Sequence, residues 1–171
     1  MFEFTNTKLP GVILVKPSVQ EDFRGGYVET YNKKEYQANG IPVEFVQDDI
    51  SFSSRNVLRG IHADKEIAKL VSCAYGRFYC VIVNCDESSP DFGKWDSFTL
   101  SDRNRSQVYA PPKHGVAHVM LSDYGVFHYK QSGYYNPSGQ MSFKWDDPRF
   151  QIWWPIKNPI LSQRDEAGHY V

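Results

Sequence analysis

The strand-forming segments of this chain are short, and Gly or Pro separates most of them. Segments rich in β-branched and aromatic residues recur roughly every 8–12 residues, which is typical of a β-sandwich or β-barrel. The predicted strands are Val12–Val15, Tyr27–Tyr31, Val43–Val46, Lys69–Ala74, Phe78–Cys85, Trp95–Leu100, Gln107–Ala110, Ala117–Leu121 and Val126–Gln131. A helical pattern is confined to Asn32–Asn39, which is followed by a Gly that suits a helix C-terminus.

The segment Phe78–Cys85 is apolar at both its odd-numbered and its even-numbered positions. Because successive side chains of a strand point to opposite faces, this strand should lie between two packed layers. A chain of 171 residues is long enough to bury a sizeable core, and it shows no linker or internal repeat. We predict one domain over residues 1–171, an all-β double-stranded β-helix, or jelly roll, of the cupin type with short helical turns.

The charge balance excludes some classes of partner. The chain carries 19 basic and 20 acidic residues, for a formal net charge of −1. General adhesion to nucleic acids or membranes needs a basic surface, which this composition does not provide. A local pocket of a few arginines for a diphosphate is still possible, and a near-zero net charge suits a chain that hides surface in an oligomer.

The cysteines and the N-terminus bear on the compartment. Cys73, Cys80 and Cys85 lie in apolar, strand-like segments without Cys-x-x-Cys spacing or histidines at zinc-ligand intervals. They are interpreted as buried, reduced thiols, which favours the cytoplasm. The N-terminus lacks the pattern of a secretory signal, and no run approaches the roughly 18 apolar residues of a membrane helix.

A group of polar residues interrupts the apolar run at residues 57–71. Arg59 and His62 lie among strand-forming neighbours, and Lys69 follows seven residues after His62. A base, an anion clamp and a charge stabiliser could be built from these three residue types. The alternative is a strand edge at which Arg59 and His62 face water, and these residues alone leave both interpretations open.

Further motifs occur along the chain in a characteristic order and spacing. They are Asp-Phe-Arg-Gly (22–25), Val-Leu-Arg-Gly-Ile-His (57–62), Ala-Pro-Pro-Lys-His-Gly-Val-Ala-His-Val-Met (110–120), Phe-His-Tyr-Lys-Gln-Ser-Gly-Tyr-Tyr-Asn-Pro (127–137), Lys-Trp-Asp-Asp-Pro (144–148), Ile-Trp-Trp-Pro (152–155) and Pro-Ile-Leu-Ser-Gln-Arg-Asp (159–165). Together they resemble the dTDP-4-dehydrorhamnose 3,5-epimerase family of nucleotide-sugar enzymes, from about residue 9 to about residue 166. The resemblance implies an epimerase that needs no cofactor or metal and acts on a nucleotide-diphospho-4-keto sugar.

The resemblance also implies four catalytic roles. His62 would remove a proton from carbon next to the ketone, since a neutral imidazole of pKa about 6.5 accepts protons at neutral pH. Asp165 would be its acidic partner, and Lys69 would stabilise the enolate. Tyr129 would return a proton to the opposite face of the sugar, because a phenol of pKa about 10 is a donor at neutral pH.

A second set of residues is implied to bind the substrate. Arg24 and Arg59 are candidates for the diphosphate, since a guanidinium matches phosphate oxygens. In the family one such arginine often comes from the partner subunit, which implies a homodimer. The remaining members of the set are Gln47 and Asp49 in the nucleotide pocket, Tyr135 in contact with the sugar or the nucleotide, His118 beside the site, and Glu29. The alternative for His118 is a core histidine whose hydrogen bonds are satisfied.

Three departures from the family pattern lie near the expected nucleotide contacts. Gly26 follows Arg-Gly where an aromatic residue is usual, Asp49 replaces an Asn, and the segment from His62 to Lys69 is several residues shorter than in most dTDP-sugar enzymes. Related short-loop epimerases act on GDP-linked 4-keto heptoses or 6-deoxy sugars. GDP is therefore an alternative to dTDP, and the sequence leaves open the sugar and whether C3, C5 or both are inverted.

Two other functions compete with the epimerase. A metal-dependent cupin would use the pair His62 and Asp64, followed by Glu66 and His118, but would give Lys69 no role. A non-catalytic jelly roll that binds nucleotide sugars would explain the many aromatic residues without a base.

Overall fold

The computed structural model describes residues 1–168. Its strands are β1 (Phe2–Asn6), β2 (Ile13–Pro17), β3 (Val19–Asp22), β4 (Gly25–Val28), β5 (Gln47–Ser54), β6 (Leu58–Asp64), β7 (Lys69–Tyr75), β8 (Arg77–Asn84), β9 (Trp95–Ser101), β10 (Gln107–Ala110), β11 (His114–Met120), β12 (Tyr124–Gln131) and β13 (Gln140–Ser142). The helices are α1 (Lys33–Ala38) and α2 (Gln163–Ala167), and a single 3-10 turn covers Pro137–Gly139.

Two antiparallel sheets face each other. The first sheet has the order β1-β2-β10-β7-β12-β5, and the second has the order β13-β6-β11-β8-β9. Most neighbouring strands are distant in sequence, because the chain crosses repeatedly from one sheet to the other. This topology confirms the predicted all-β jelly roll.

The core has three apolar layers. Val71, Phe127, Phe78 and Ile82 belong to the layer between the sheets. A second layer covers the outer face of the first sheet, where Tyr36 of α1 packs with residues of β1 and β2. The third covers the outer face of the second sheet with the segment around Phe150 and Trp154. β8 therefore lies between two packed layers, as predicted from its sequence.

Most predicted elements are confirmed within a few residues at each end. The helix begins after Asn32, whose side chain accepts a hydrogen bond from the Glu35 amide, and it ends at Ala38, with Asn39 as its C-cap. Two predicted strands were misplaced. The strand predicted at Tyr27–Tyr31 is β4 at Gly25–Val28, and residues 43–46 are an irregular segment that precedes β5. The apolar side chains of that segment pack on the outer layer of the first sheet without pairing in it.

The β3–β4 hairpin stands apart from both sheets. Its strands pair only with each other in the sheet order, and Phe23 near its turn is 97 % exposed. Arg24 lies beside Phe23, and its guanidinium pairs with Asp22 at 2.6 Å. Apolar side chains on an exposed hairpin suggest that another surface covers it.

The thiols are buried as predicted. Cys73, Cys80 and Cys85 are unpaired, and burial raises the pKa of each, to about 12 for Cys73 and Cys85. Within residues 1–168, no helix has the length and apolar character needed to cross a membrane.

Candidate active site

Polar side chains from both sheets face the space between them at the end where β6 leads into β7, and this space is the cleft of the site. The inward-facing positions of β5 are occupied by polar residues, and the inward face of β12 ends in Tyr129 and Gln131. The β5 residues on this face are Gln47, Asp49, Ser51 and Ser53. A strand with a polar inner face cannot belong to an apolar core, so β5 forms one wall of a site.

β6 carries a bulge that determines which of its residues face this cleft. His62 lies opposite Val116, but Arg59 lies opposite His118, so three steps along β6 match two steps along β11. Residues three apart in a regular strand point to opposite faces, and the extra residue brings Arg59 and His62 to the same face. Gly60 permits this because its φ is 118° and a Cβ there would lie 2.6 Å from the Val116 carbonyl oxygen.

His62 and Asp165 form a hydrogen-bonded pair. The His62 Nε2 and Asp165 Oδ1 atoms are 2.6 Å apart, although 103 residues separate them in sequence. Helix α2 presents the carboxylate: Ser162 is its N-cap, and the Ser162 hydroxyl donates to Asp165 Oδ2 at 2.9 Å. The Gly60 amide also donates to Asp165. Asp165 is only 3 % exposed, so this carboxylate is held in one orientation.

Together, burial and pairing lower the pKa of both residues, which leaves His62 neutral and Asp165 charged. Burial lowers the pKa of His62, although Asp165 opposes this effect. Burial alone would raise the pKa of Asp165, but the imidazole, the Ser162 hydroxyl and the Gly60 amide outweigh it and lower that pKa. At neutral pH the pair is therefore a neutral imidazole beside a carboxylate, which is the arrangement of a general base with its orienting group.

Lys69 extends into the cleft from the start of β7. It is 9 % exposed, and its Nζ atom donates to the His62 carbonyl oxygen at 3.5 Å. Burial lowers the pKa of Lys69 to about 8, with Asp64 opposing that effect. A buried ammonium close to a base can stabilise an oxyanion that forms when the base removes a proton.

Tyr129 belongs to the first sheet, like Lys69, and therefore to the sheet opposite His62. It lies on β12 between Val71 of β7 and Asp49 of β5, and its ring is partly buried against the core. Burial raises the pKa of Tyr129, and the charge of Asp49 acts in the same direction. The phenol is therefore protonated at neutral pH and can act as a proton donor.

His118 is packed too tightly to act as a base. Its ring stacks on Phe127 at 3.8 Å between centroids, and Phe78 contacts it edge-on. Burial, with Arg59 and His62 close by, lowers the pKa of His118 to about 3. Its Nε2 atom is buried without a hydrogen-bond partner among the described residues.

The polar wall of β5 organises the segment that follows β12. Asp49 Oδ2 accepts hydrogen bonds from the side-chain amides of Gln47 at 2.8 Å and of Gln131 at 2.7 Å. The Gln47 side-chain oxygen in turn accepts from the Tyr135 amide at 2.9 Å. Asp49 thus links two strands and, through Gln47, holds the loop that carries Tyr135.

The three remaining predicted site residues differ in position. Arg59 is directed toward the β5 wall, where its guanidinium donates to the Ser53 hydroxyl and the Phe52 carbonyl. Arg24 makes its contacts within the exposed hairpin, and exposed Glu29 accepts from the Asn32 side chain. Within one subunit, Arg24 and Glu29 therefore take no part in the cluster around His62, and their roles in the site stay predictions.

Two residues of this region, Gln131 and Arg164, were not predicted from the sequence, and a third, Asp64, was considered only as a metal ligand. Gln131 is buried beside Asp49, and Arg164 donates to the Ser142 hydroxyl and lies close enough to influence the pKa of His62 and Lys69. Asp64 is buried at the end of β6. Gln131 could have been found from its spacing of two from Tyr129, whereas no local signal indicates Arg164.

The residues of the competing metal site are otherwise engaged. The carboxylate of Asp64 accepts hydrogen bonds from two backbone amides and from the Gln140 side chain, and His62 pairs with Asp165. In residues 1–168, no three His, Cys, Asp or Glu side chains form a group that could hold a metal ion.

Comparisons with known proteins identify the relatives of this chain. Residues 6–171 match the family model of dTDP-4-dehydrorhamnose 3,5-epimerase. The dTDP-4-dehydrorhamnose 3,5-epimerase of Shigella flexneri is 39% identical over 166 residues, which cover 95% of this chain and 92% of that protein.

Solved structures of the same class superpose on the whole jelly roll. The dTDP-6-deoxy-D-glucose-3,5-epimerase of Legionella pneumophila Philadelphia 1, in complex with dTDP-4-keto-L-rhamnose, has a TM-score of 0.93 and 33% identity and covers 99% of this chain and 92% of its own. The dTDP-4-dehydrorhamnose 3,5-epimerase of Bacillus anthracis str. Ames, with TDP and PPi bound, has a TM-score of 0.94 and 30% identity, with both chains covered completely.

Proposed function

This chain belongs to the dTDP-4-dehydrorhamnose 3,5-epimerase family, and we propose that His62, Lys69, Tyr129 and Asp165 carry out its epimerisation chemistry. The protein is an epimerase of nucleotide-diphospho-4-keto-6-deoxy sugars. The observation that carries the proposed roles is the placement of the base and the acid on opposite walls of the cleft. His62 lies on β6 of the second sheet, and Tyr129 lies on β12 of the first. A sugar ring between the sheets presents one face to each residue.

The reaction needs two proton transfers at the same carbon. His62 takes the proton from the carbon next to the 4-keto group, and the electrons of that C–H bond move to the carbonyl oxygen. The Lys69 ammonium stabilises the resulting enolate, and Asp165 stabilises the imidazolium. The enolate collapses as Tyr129 donates its hydroxyl proton to the other face of the carbon. Exchange with water then returns a proton to Tyr129 and removes one from His62.

The substrate proposal is a dTDP-linked 4-keto-6-deoxy sugar that is inverted at C3 and C5. The named relatives support dTDP and both carbons. Gln47, Asp49 and Arg59 supply polar groups at the β5 wall of the cleft, and the binding role of the buried His118 stays a prediction. Asp49 is the residue whose identity most affects which nucleotide is bound, since its carboxylate replaces the side-chain amide that is usual in the family. Product of this kind would be used for L-rhamnose or a related surface sugar of lipopolysaccharide or capsule.

A homodimer would complete the site. β5 is an edge strand of the first sheet, and its outward-facing Ile50 and Phe52 are each 55 % exposed. An exposed edge strand with apolar side chains, together with the exposed β3–β4 hairpin, favours pairing with a second copy. We propose that Arg24 of each hairpin reaches the diphosphate in the site of the other subunit. The unpaired buried thiols support the proposed cytoplasmic location.

Proton NMR in deuterium oxide with dTDP- and GDP-linked 4-keto-6-deoxy sugars tests the substrate proposal. We expect deuterium at C3 and C5 and formation of the epimer with the dTDP sugar. Turnover of the GDP sugar alone would overturn the nucleotide assignment, and incorporation at one carbon would overturn double inversion. Binding without exchange would instead support the non-catalytic module.

Subunit mixing tests the role of Arg24. Arg24→Ala and His62→Ala homodimers should each be nearly inactive, but their heterodimer contains one site with both residues intact. Random mixing of a two-fold dimer should therefore restore about a quarter of the wild-type sites. Absence of recovery after verified subunit exchange, or a monomer in solution, would contradict the shared site.

A further inference from the structure

The connection between the base and the cation is unusually short. β6 ends at Asp64 and β7 begins at Lys69, so residues 65–68 alone cross from the second sheet to the first. This crossing determines how far the Lys69 ammonium lies from His62. The start of β7 is held against the end of β12, because Lys69 pairs with Gln131 and the Ala68 amide donates a hydrogen bond to the Ser132 hydroxyl.

Asp64 organises this connection. Its Oδ1 atom accepts hydrogen bonds from the amides of Glu66 and Ile67, both at 2.9 Å. Its Oδ2 atom accepts from the Gln140 side chain at 2.5 Å, and Gln140 is its neighbour on β13. The side chain is 3 % exposed. A buried carboxylate costs free energy unless it is hydrogen-bonded, and here two backbone amides and one side-chain amide supply the partners.

The charges around Lys69 give this carboxylate a second effect. The charges of Asp64 on β6, Arg164 on α2 and Asp49 on β5 are close enough to act on the ammonium. The His62 imidazole is also close enough to interact with it, and β12 presents the Tyr129 phenol on the same face. Burial lowers the pKa of Lys69 to about 8, and Asp64 is the strongest of the influences that oppose this effect.

We propose that Asp64 is a positioning residue for catalysis, which fixes the β6–β7 crossing and supplies the negative charge that keeps the Lys69 ammonium cationic. This inference rests on the proposed role of Lys69 in stabilising the enolate. It assigns to Asp64 an electrostatic function that acts through Lys69, without contact with the substrate.

The Asp64→Asn variant separates charge from structure. The side-chain oxygen of the new Asn can still accept hydrogen bonds from the Glu66 and Ile67 amides. If the Gln140 side-chain amide flips, its oxygen can accept a hydrogen bond from the NH2 group of the new Asn. The matched control is Glu66→Gln, which removes a carboxylate from the same crossing at an exposed position. Asp64→Ser is a second neutral variant, since a Ser hydroxyl also accepts hydrogen bonds from nearby backbone amides.

The readout is the pH profile of kcat/KM for the accepted substrate, after thermal melting has shown that each variant is folded. Loss of one nearby opposite charge should move the alkaline limb down by about one pH unit. The activity at pH 8, expressed as a fraction of each enzyme's plateau, should then be about fivefold lower in the variant than in the wild type. Glu66→Gln should leave the limb near pH 8. Titration of the Lys69 13Cε NMR signal should show the same shift without relying on turnover.

The outcomes distinguish this inference from the proposed function. An active wild-type enzyme whose alkaline limb and Lys69 signal are unmoved by Asp64→Asn would overturn the inference alone. Failure of both neutral variants to fold would make Asp64 a structural residue and would also overturn it. Absence of exchange by the wild-type protein with every nucleotide sugar would refute the proposed function instead.

Discussion

Replacing Asp165 by Asn is expected to lower kcat/KM by about 10- to 150-fold. The His62–Asp165 bond is 2.6 Å long, and the side chain of Asp165 is almost wholly buried, so water screens it little. When His62 takes a proton in the transition state, this bond joins two opposite charges. Such a hydrogen bond is worth about 1.5–3 kcal/mol, which corresponds to that range of rates.

The pH profile gives the same variant a second, independent signature. Asp165 opposes the lowering of the His62 pKa by burial, so its neutral replacement should lower that pKa further. The base is active when unprotonated, and the acidic limb of kcat/KM should therefore move to lower pH while the plateau falls.

Steady-state rates of epimerisation measured between pH 5 and 9 would test both effects, with Glu166→Gln as the matched control. Glu166 lies beside Asp165 in the first turn of α2 but is exposed. The control should retain the wild-type profile. An unchanged plateau in folded Asp165→Asn, or an acidic limb that moves to higher pH, would show that Asp165 does not stabilise the His62 imidazolium.

Other variants and conditions test separate parts of the account. Tyr129→Phe should still exchange the substrate proton for deuterium but should form product at least about 100-fold more slowly, because His62 can return a proton only to the original face. If NMR shows that both activities fall equally, Tyr129 is not the acid. Lys69→Met should lower kcat by about 100- to 1000-fold, as does the loss of an oxyanion donor, and retention of the rate would exclude enolate stabilisation by this residue. In the wild-type enzyme, kcat/KM should fall as pH rises through about 8, where Lys69 loses its proton, and a flat profile to pH 10 would contradict this. Phe127→Ala should lower the free energy of unfolding, measured with urea, by about 3–5 kcal/mol, because it leaves a cavity beside His118 in the core. A loss below about 1 kcal/mol would show that the core there is not well packed.

The parts of the fold that were predicted correctly are those with apolar faces. β8 and β10 pack against the core, so β-branched and aromatic residues mark their positions. β5 was missed because its inward face lines the polar cleft, and its sequence therefore lacks the apolar alternation of a core strand. A strand was instead predicted at residues 43–46, just before β5, because apolar residues are frequent there. Those residues only pack against the outer layer.

The site was predicted as a set of residue types, and the structure supplied their connections. The grouping of Arg59 with His62 indicated a site, but only the bulge at Gly60 explains how residues three apart share a face. The pairing of His62 with Asp165 joins distant parts of the chain and came from the family resemblance alone. Asp64 was considered only as a metal ligand, because its hydrogen bonds to its own loop leave no mark on residue spacing.

The most direct test of the central claim compares wild-type protein with His62→Ala in deuterium oxide, with a dTDP-linked 4-keto-6-deoxy sugar as substrate. We expect the wild-type enzyme to incorporate deuterium at carbons next to the ketone, and folded His62→Ala to reduce this exchange to near the uncatalysed rate. Exchange by His62→Ala at the wild-type rate would show that another group is the base and would contradict the mechanism proposed for this cleft.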